Sequence, residues 1–243
     1  MNIKMIILVV VIATLAVVGV VRTTSKSRYP ESQRFVELKD KEKRNTLALK
    51  ERVELAKMRG ERQILIPGSI SANVEVENLD EAFSIYTVVI AQPIEAKSFL
   101  DVHDAIKSWY KFKVIETLSK KAPPADTFFG DPPDDMLPLK DNEILVPRLN
   151  GTVVIDSVKV TAPDSDFPTL DKSQKYLLFL SVDTTGKIGR LELGSAAVAS
   201  ITADAKIETT DKQQDRLKLE MKDRYNSSLN QLKEKLKDHA GQQ

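Results

Sequence analysis

The fold is decided around the stretch SWYKFKVIETL, residues 108–118, which has the clearest strand pattern in the chain. Apolar side chains recur with a period of two along this stretch, at Tyr110, Phe112, Val114 and Leu118. The positions between them are mostly polar. Successive side chains of a β-strand point to opposite faces of its sheet. The period of two therefore predicts a strand with one face in a core and the other face, which includes Trp109, largely in water.

Further strand-like segments lie on both sides of this stretch. Short apolar or β-branched runs occupy residues 64–66, 84–91, 94–100, 143–147, 152–155, 188–193 and 196–201. The run KYLLFLSV, residues 175–182, is apolar at consecutive positions, which is typical of a central strand buried on both faces. Several short strands separated by turn signals predict a small OB-like β-barrel or sandwich over residues 63–207. The predicted fold class is mainly β, or α+β overall.

Two turn signals lie within this β region. Asn150-Gly151 stands between residues 143–147 and 152–155, and this dipeptide is typical of a tight hairpin turn, so the two runs are predicted to pair. The apolar pattern then changes phase at Asp156-Ser157. A second tight turn or a β-bulge would explain that change.

Residues 23–62 are predicted to form a charged stalk of one or two helices ahead of the β region. Pro30 is suited to the first position of a helix, and Gly60 is suited to the end of one. Three of the few apolar side chains share one helical stripe: Leu49, Val53 and Ala56. Such a stripe would pack on the chain's own domain or join a coiled coil.

A C-terminal amphipathic helix is predicted over residues 211–240, within the terminal segment 208–243. Its apolar stripe has spacings of four and three: Met221, Tyr225, Leu229, Leu232 and Leu236. The opposite face is charged, so the stripe is expected to pack on the barrel, on the stalk or on a second copy of the chain.

The segment MIILVVVIATLAVVGVV, residues 5–21, contains no charged residue. At about 1.5 Å per residue, a helix of roughly 17 residues spans about 26 Å, close to the ~30 Å hydrocarbon core of a bilayer. Residues 1–22 are therefore predicted to be a transmembrane anchor or a cleavable signal segment. The apolar run reaches Arg22 without a polar break, which favours a retained anchor.

The orientation of this anchor depends on two opposing considerations. The cations on its C-terminal side, Arg22, Lys26 and Arg28, favour a cytoplasmic C-terminal domain by the positive-inside rule. An apolar segment this close to the N-terminus instead often directs the export of the C-terminal domain. We expect a single-pass protein of the cell membrane with its domain outside the cytoplasm, in the periplasm of a bacterium, and the cytoplasmic orientation stays open.

The composition excludes several classes of site. The chain has no cysteine, so a disulfide framework, a thiolate nucleophile and a cysteine-based metal site are excluded. Residues 22–63 carry 13 basic and 7 acidic side chains, whereas residues 64–207 carry 14 and 21. A basic stretch beside a membrane predicts contact with anionic lipid head groups. Only Tyr29 and Phe35 lie among these cations, so no nucleic-acid partner is predicted.

A succession of motifs carries a family resemblance. The motifs are YKFKVIE at residues 110–116, VP at 146–147, LNGTV at 149–153, TLD at 169–171 and KYLLFL at 175–180. Over residues 84–195 the chain resembles an uncharacterised group of bacterial exported β-barrel domains, in which a glycine hairpin precedes a G-x-x-Y-L-L-F-L strand. The chain departs from that pattern at Asn150, where a second glycine is common, and at Ser173, where glycine is common. The group has no established activity, so the resemblance implies a fold and export and no site residues.

Candidate catalytic motifs are weak. Ser108 and Lys111 match the serine/lysine pattern S-x-x-K, but that chemistry needs the two side chains one helical turn apart, and on a strand they point to opposite faces. His103 stands between Asp101 and Asp104 without an activated-serine motif, which is typical of a polar loop histidine. The sequence therefore predicts no catalytic residue, no metal site and no cofactor.

The Pro- and Asp-rich segment 119–142 is predicted to be a long loop. Its carboxylates, and Asp164 with Asp166 further on, are of the type that binds Ca²⁺, but the 12-residue calcium-loop pattern is missing, so a solvated loop is favoured. Phe128-Phe129 would either plug the barrel mouth or anchor a partner. The candidate partner or loop site comprises Phe128, Phe129, Asp131, Asp134, Asp135 and His103.

These features together predict a non-enzymatic, membrane-anchored protein that binds a partner or serves as an envelope scaffold. The alternative is a hydrolase, or a module that binds a small ligand or Ca²⁺, with its site at the barrel mouth around His103, Asp131, Asp134 and Asp135. A third possibility is a homo-oligomer formed through the terminal helices.

Overall fold

A computed structural model describes residues 32–68, 76–121, 131–164, 167–208 and 216–240. The predicted membrane segment 5–21 and Phe128-Phe129 lie outside these ranges. Among the helices of the described ranges, none combines the length and the apolar character that crossing a membrane requires. The chain divides into two compact units, Met1–Gly60 and Glu61–Gln243.

The described part of the first unit is a helical hairpin of α1, Gln33–Lys43, and α2, Leu49–Met58. Helix α1 begins after Ser32, whose hydroxyl accepts a hydrogen bond from the Phe35 amide, and Pro30 lies outside the described residues. Asn45, at a φ of 55°, turns the chain between the helices. The hairpin has a small core of its own: Leu38, Leu47 and Leu55, with Phe35 packed against them.

Ion pairs join the two helices of the hairpin and make its stability sensitive to acid. The Arg34 guanidinium lies 2.8 Å from the Glu54 carboxylate, and Lys41 Nζ lies 2.6 Å from Glu51. Hydrogen bonds from Arg34 and from Lys41 hold the pKa of Glu54 and of Glu51, respectively, below the ordinary glutamate value of 4.5. A lowered folded-state pKa contributes stability above the ordinary value, and this contribution is lost as the pH falls through the folded-state pKa.

We therefore expect amide hydrogen exchange in α1 and α2, corrected for its intrinsic pH dependence, to become faster as the pH falls below the ordinary glutamate value of 4.5, and to change little between about pH 5 and about pH 8. Glu54→Gln should make this acid dependence shallower, because it removes one of the titrating carboxylates. Exchange that is equally protected at both ends of the acid range would contradict the role assigned to these pairs.

The second unit is mainly β, and its larger sheet is nearly closed into a barrel. The antiparallel strands β2, Thr87–Leu100, and β3, Ile106–Ser119, are its longest. The remaining strands of this sheet are β4, Glu143–Arg148; β7, Lys175–Val182; β8, Gly189–Arg190; and β9, Val198–Ile201. Their order is β4-β3-β2-β7-β8, and β9 also pairs with β7. The Leu145 amide donates to the Lys187 carbonyl at 2.9 Å, which links β4 to the chain entering β8 and brings the two edges of the sheet together.

The strongest sequence patterns correspond to the central strands. Strand β3 contains residues 108–118, and β7 has the predicted bounds 175–182, with both of its faces buried. One face of β3 differs from the prediction, because Trp109 is fully buried rather than exposed to solvent. It packs with Met136 and Leu145, because a 3-10 turn, Asp134–Met136, covers that face of the sheet.

A three-stranded sheet lies beside the barrel and changes the predicted pairing. It comprises β1, Gln63–Leu65; β5, Gly151–Ile155; and β6, Val158–Ala162, in the order β1-β6-β5. The predicted hairpin across Asn150-Gly151 is wrong, since β4 pairs with β3 and β5 pairs with β6. The β5–β6 hairpin turns at Asp156-Ser157, where both φ angles are positive, so the tight-turn explanation of the phase change is correct.

Two other strand predictions are shorter in the structure. Residues 84–91 begin inside helix α3, Leu79–Ile85, which the Asn78 side chain caps by accepting from the Glu81 amide, and the strand starts only at Thr87. Residues 188–193 contribute only Gly189–Arg190, and the run from 196 begins with a 3-10 turn, Gly194–Ala197.

The C-terminal region forms two helices, α4, Arg216–Tyr225, and α5, Leu229–Ala240, rather than one. The helix breaks at Asn226 and Ser227, which have positive φ angles, and the freed Ser227 carbonyl accepts a hydrogen bond from the Ile207 amide at 2.7 Å. The predicted apolar stripe is buried in the same core as β2 and β7. The two helices therefore pack on the barrel.

Candidate functional site

A cleft of about 440 Å³ lies where the barrel strands β2 and β3 meet the small sheet and residues 163–164 and 167–172, which follow β6. Its lining is largely apolar and rich in proline, with polar groups at one end: Pro93, Ala96, Tyr110, Asn150, Thr152, Pro163, Asp164, Phe167, Pro168, Leu170 and Lys172 are among the lining residues. We call it the Tyr110 cleft. Its volume and its apolar lining are in the range of protein sites that bind small molecules or peptide segments.

Two aromatic rings form one wall of the Tyr110 cleft. The Tyr110 and Phe167 ring centroids are 4.8 Å apart, with the ring planes inclined at 55°. The Arg148 guanidinium lies 5.3 Å from the Phe167 centroid, so this ring has a cation as well as Tyr110 beside it. Phe167 is buried, whereas Tyr110 is only partly buried. Tyr110 is therefore the more accessible of the two rings to a bound molecule.

A buried ion pair holds this wall in place. Arg148, at the end of β4, donates from Nη2 and Nε to Asp164 Oδ2 at 2.6 and 3.0 Å, and from Nη1 to the Leu191 carbonyl at 3.2 Å. The two side chains are only 3% and 4% exposed. Because charges this deeply buried are costly unless they are paired, the pair fixes Asp164, just after β6, against the barrel.

A chain of hydrogen bonds forms the floor of the Tyr110 cleft. The Ser98 and Ser108 hydroxyl oxygens are 2.8 Å apart, and Ser108 donates to the Asn150 main-chain oxygen at 2.6 Å. The Tyr110 hydroxyl donates to Asn150 Oδ1 at 3.1 Å. Burial raises the pKa of Tyr110, and its hydrogen bond to Asn150 opposes only part of that shift. Because the net direction is upward, the phenol is neutral at physiological pH.

Gly151 sits above the two serines and has a φ of 126°. A Cβ at this position would collide with the Ser98 and Ser108 hydroxyl oxygens, and its backbone angle is one that L-residues rarely adopt. Glycine at position 151 is therefore required by the floor of the cleft rather than by a hairpin turn between β4 and β5.

Gly151→Ala is expected to destabilise the barrel by about 2–6 kcal/mol, since strain and overpacking each contribute about 1–3 kcal/mol. Gly186→Ala is the matched control, because Gly186 also has a positive φ of 72° but has open space around its Cβ position. Gly186→Ala should lower the free energy of unfolding only by the strain contribution. Denaturant unfolding of the full chain measures both, and equal losses for the two variants would contradict the close packing at Gly151.

Ser108 has a structural role in the floor of the cleft. It lies on strand β3 and is 1% exposed, and its hydroxyl is used in the floor of the cleft. Lys111 lies 3.8 Å from Glu95 on the neighbouring strand. The prediction against a serine/lysine pair assumed that Ser108 and Lys111 lie on a strand, and both lie on β3.

The sequence-predicted site residues lie away from the Tyr110 cleft. His103 is exposed in the β2–β3 turn, where its amide donates to Asp101 Oδ1 at 2.8 Å. Asp131, Asp134 and Asp135 are exposed, and Asp135 pairs with Lys97. None of these four residues lines the cleft. Phe128 and Phe129 are outside the described residues.

The sequence context of Asp164 suggests an oxygen ligand for Ca²⁺ or a solvated loop residue, and the structure shows neither role. It is a buried partner of Arg148. Asp166 lies outside the described residues. Within the described ranges, no three His, Asp or Glu side chains lie close enough together to hold a metal ion.

Sequence reasoning did not find the Tyr110 cleft. The sequence pattern predicts Tyr110 on the core face of its strand and assigns no role to Arg148 or Phe167. The available signal was an arginine at the end of the apolar strand ILVPR, a residue type that is rarely buried without a partner.

Comparison of the sequence with models of known protein families and with curated proteins finds no match.

Proposed function

We propose that the chain is a non-enzymatic binding module that holds a segment of a partner protein in the Tyr110 cleft. The observation that carries this proposal is a concave, largely apolar site whose polar groups are bonded to one another: Arg148 with Asp164, and Ser108 and Tyr110 with Asn150. Such internally bonded groups fix the shape of a site. A pre-formed site of this kind needs little ordering on association, which favours binding.

The alternative of a hydrolase or a Ca²⁺-binding module around His103, Asp131, Asp134 and Asp135 has less support. These side chains are exposed, and Asp135 is engaged by Lys97. Catalysis or Ca²⁺ binding would need several of them to converge on one point.

The proposed setting of the module comes from the sequence. Residues 5–21 would anchor the chain in a membrane, the basic residues after them would contact anionic lipids, and the barrel would lie outside the cytoplasm. Within the mainly β class, we propose an OB-like barrel, because the six-stranded sheet is nearly closed and has the Tyr110 cleft on its side.

Site-specific photo-crosslinking in the cells that naturally make the protein tests this function. The crosslinker benzoylphenylalanine replaces Thr152, an exposed residue of the cleft lining, in the full chain. The matched control carries it at Thr117, which is also an exposed strand residue but does not line the cleft.

We expect a discrete adduct with another protein from position 152 and not from position 117. That adduct should disappear in the Ala96→Trp variant, because Ala96 is an exposed lining residue at which an indole would fill the cleft. The absence of an adduct at position 152, or one that is insensitive to Ala96→Trp, would contradict the proposal. An adduct between two copies of the chain would contradict it as well, since the occupant would then be a second copy.

A further inference from the structure

Strand β5, Gly151–Ile155, lies at the edge of the small three-stranded sheet. It pairs with β6 on one side, and no strand of the described ranges pairs with its other side. Its hairpin with β6 closes at the pair Ile155 and Val158, on either side of a tight turn. The closing pair of such a hairpin exchanges both main-chain hydrogen bonds, and hydrogen-bonded pairs recur at every second residue.

This register decides which main-chain groups of β5 point away from β6. Val153, like Ile155, bonds to β6, whereas the N–H and C=O groups of Thr152 and Val154 point to the free side. These groups have no hydrogen-bond partner within the described ranges. The side chains of both residues face solvent, and Val154 is 72% exposed. Unpaired main-chain donors and acceptors along an edge form a template on which another extended chain adds as a strand.

The free edge of β5 has none of the features by which proteins usually block strand addition. Charged side chains, proline and β-bulges discourage pairing with another chain. The strand sequence GTVVI contains no charged residue and no proline, and its register with β6 is continuous. The half of β2 beyond Ala91, which β7 leaves unpaired, instead carries Pro93, Glu95 and Lys97. Strand β5 is thus open to strand addition where β2 is protected.

The free edge of β5 is continuous with the Tyr110 cleft. Gly151 and Thr152, the first two residues of β5, line the cleft. A segment held in the cleft can therefore continue along β5 without leaving the protein surface. The edge by itself offers only the N–H and C=O groups of Thr152 and Val154, which is too small a contact for a stable dimer of two copies paired through β5 alone. A partner segment that occupies the cleft and the edge together gains both contacts.

Resting on the proposed function, we propose that the partner segment binds in an extended conformation and adds as a fourth strand to the small sheet, hydrogen-bonded to Thr152 and Val154 along the free edge of β5. The main chain of the segment supplies the donors and acceptors. Every second side chain of the segment then lies beside Thr152 and Val154 on the solvent face, where Leu65 is also exposed. Uncharged β-branched or aromatic residues suit these positions, because they form stabilising cross-strand pairs with threonine and valine.

The test is the yield of the partner adduct from benzoylphenylalanine at position 152 in cells, compared between two variants of Val154. Val154→Pro removes the outward N–H and keeps the pairing with β6, since residue 154 makes no main-chain hydrogen bond to that strand. Val154→Thr is the matched control, because it keeps the N–H and the β-branched shape. We expect Val154→Pro to lower the yield at least about fivefold and Val154→Thr to leave it unchanged.

A structural check separates the edge from the cleft. Val154 does not line the Tyr110 cleft, so proline there leaves the cleft lining unaltered. Amide exchange of Val153 that is as slow in purified Val154→Pro as in the wild type shows that β5 and β6 still pair. Equal adduct yields from the two variants, with that pairing intact, would overturn the inference.

If Val154→Pro disrupts the hairpin, amide hydrogen exchange of the wild-type full chain decides. The probe is the partner protein recovered from the position-152 adduct. We expect the Thr152 and Val154 amides to exchange at least about tenfold more slowly in the complex than in the free chain, because they gain acceptors. Unchanged exchange at both residues would overturn the inference.

The two proposals fail in different ways. If no partner adduct forms at position 152 in the wild-type background, the proposed function fails and this inference fails with it. If the adduct is sensitive to Ala96→Trp but not to Val154→Pro, the segment occupies the cleft without adding a strand, so the inference fails and the binding function stands. An adduct between two copies of the chain overturns both.

Discussion

Replacing Arg148 with alanine is expected to destabilise the barrel by about 3–5 kcal/mol, because it removes the guanidinium that pairs with the buried Asp164 carboxylate. The two side chains are 3% and 4% exposed, so water cannot easily replace the missing guanidinium. Denaturant unfolding of the full chain measures the loss. Trp109, the only tryptophan, reports on it, since it is fully buried in the native barrel.

Two companion variants isolate the reason for this loss. The double variant Arg148→Met with Asp164→Leu removes both charges and should recover most of the lost stability, because apolar pairs often replace buried ion pairs at little net cost. Arg190→Ala removes an arginine that lies 3.9 Å from Glu192 at a more exposed position, and it should cost no more than about 1 kcal/mol. Equal losses for Arg148→Ala and Arg190→Ala would contradict the structural role given to the buried pair.

Leu232→Ala is the second change for which we expect a large effect, a loss of about 2–5 kcal/mol in the free energy of unfolding. Leu232 is fully buried in the main core with Met221 and Leu236, so truncation leaves a cavity between helix α5 and the barrel. The loss should appear as a lower midpoint of denaturant unfolding with the Trp109 signal.

The matched control for this variant is Gln231→Ala, one residue away on the same helix and exposed. It should change stability by less than about 0.5 kcal/mol, the usual range for exposed surface positions. A Leu232→Ala chain that remains as stable as the control would show that the C-terminal helices do not belong to the core, and would favour their pairing with a second copy.

The periodic segments were predictable because local pattern and burial agree in them. Strand β7 is apolar at consecutive positions, and it lies between β2 on one side and β8 and β9 on the other. Strand β3 alternates over residues 108–118, and its partners β2 and β4 cover most of its length. The period of two identifies β3, and the continuous apolar run identifies β7.

The predictions that were wrong depended on contacts distant in sequence. Asn150-Gly151 has the composition of a hairpin turn, but β4 pairs with β3, and Gly151 is instead needed above Ser98 and Ser108. The continuous helix over 211–240 breaks at Ser227, because its carbonyl accepts from the Ile207 amide. Neither Ser98 nor Ile207 is near its contact in the chain, and a local pattern carries no information about such contacts.

The candidate site was not predictable for a related reason. Sequence reasoning selected exposed polar residues of loops, among them His103 and Asp135. The Tyr110 cleft instead uses side chains from β3, from the end of β4 and from the segment after β6, which only the topology brings together. The sequence pattern predicts a turn role for Asn150, whereas in the structure it accepts hydrogen bonds from Ser108 and Tyr110.

The measurement that tests the central claim most directly is the dissociation constant of the crosslinked partner for the full chain, compared between Ala96→Trp and Thr117→Trp. Both substitutions place an indole on an exposed strand position, but only the first lies in the Tyr110 cleft. We predict that Ala96→Trp weakens binding at least about a hundredfold, which corresponds to about 2.7 kcal/mol, and that Thr117→Trp leaves it unchanged. Equal affinity for the two variants would show that the partner binds elsewhere.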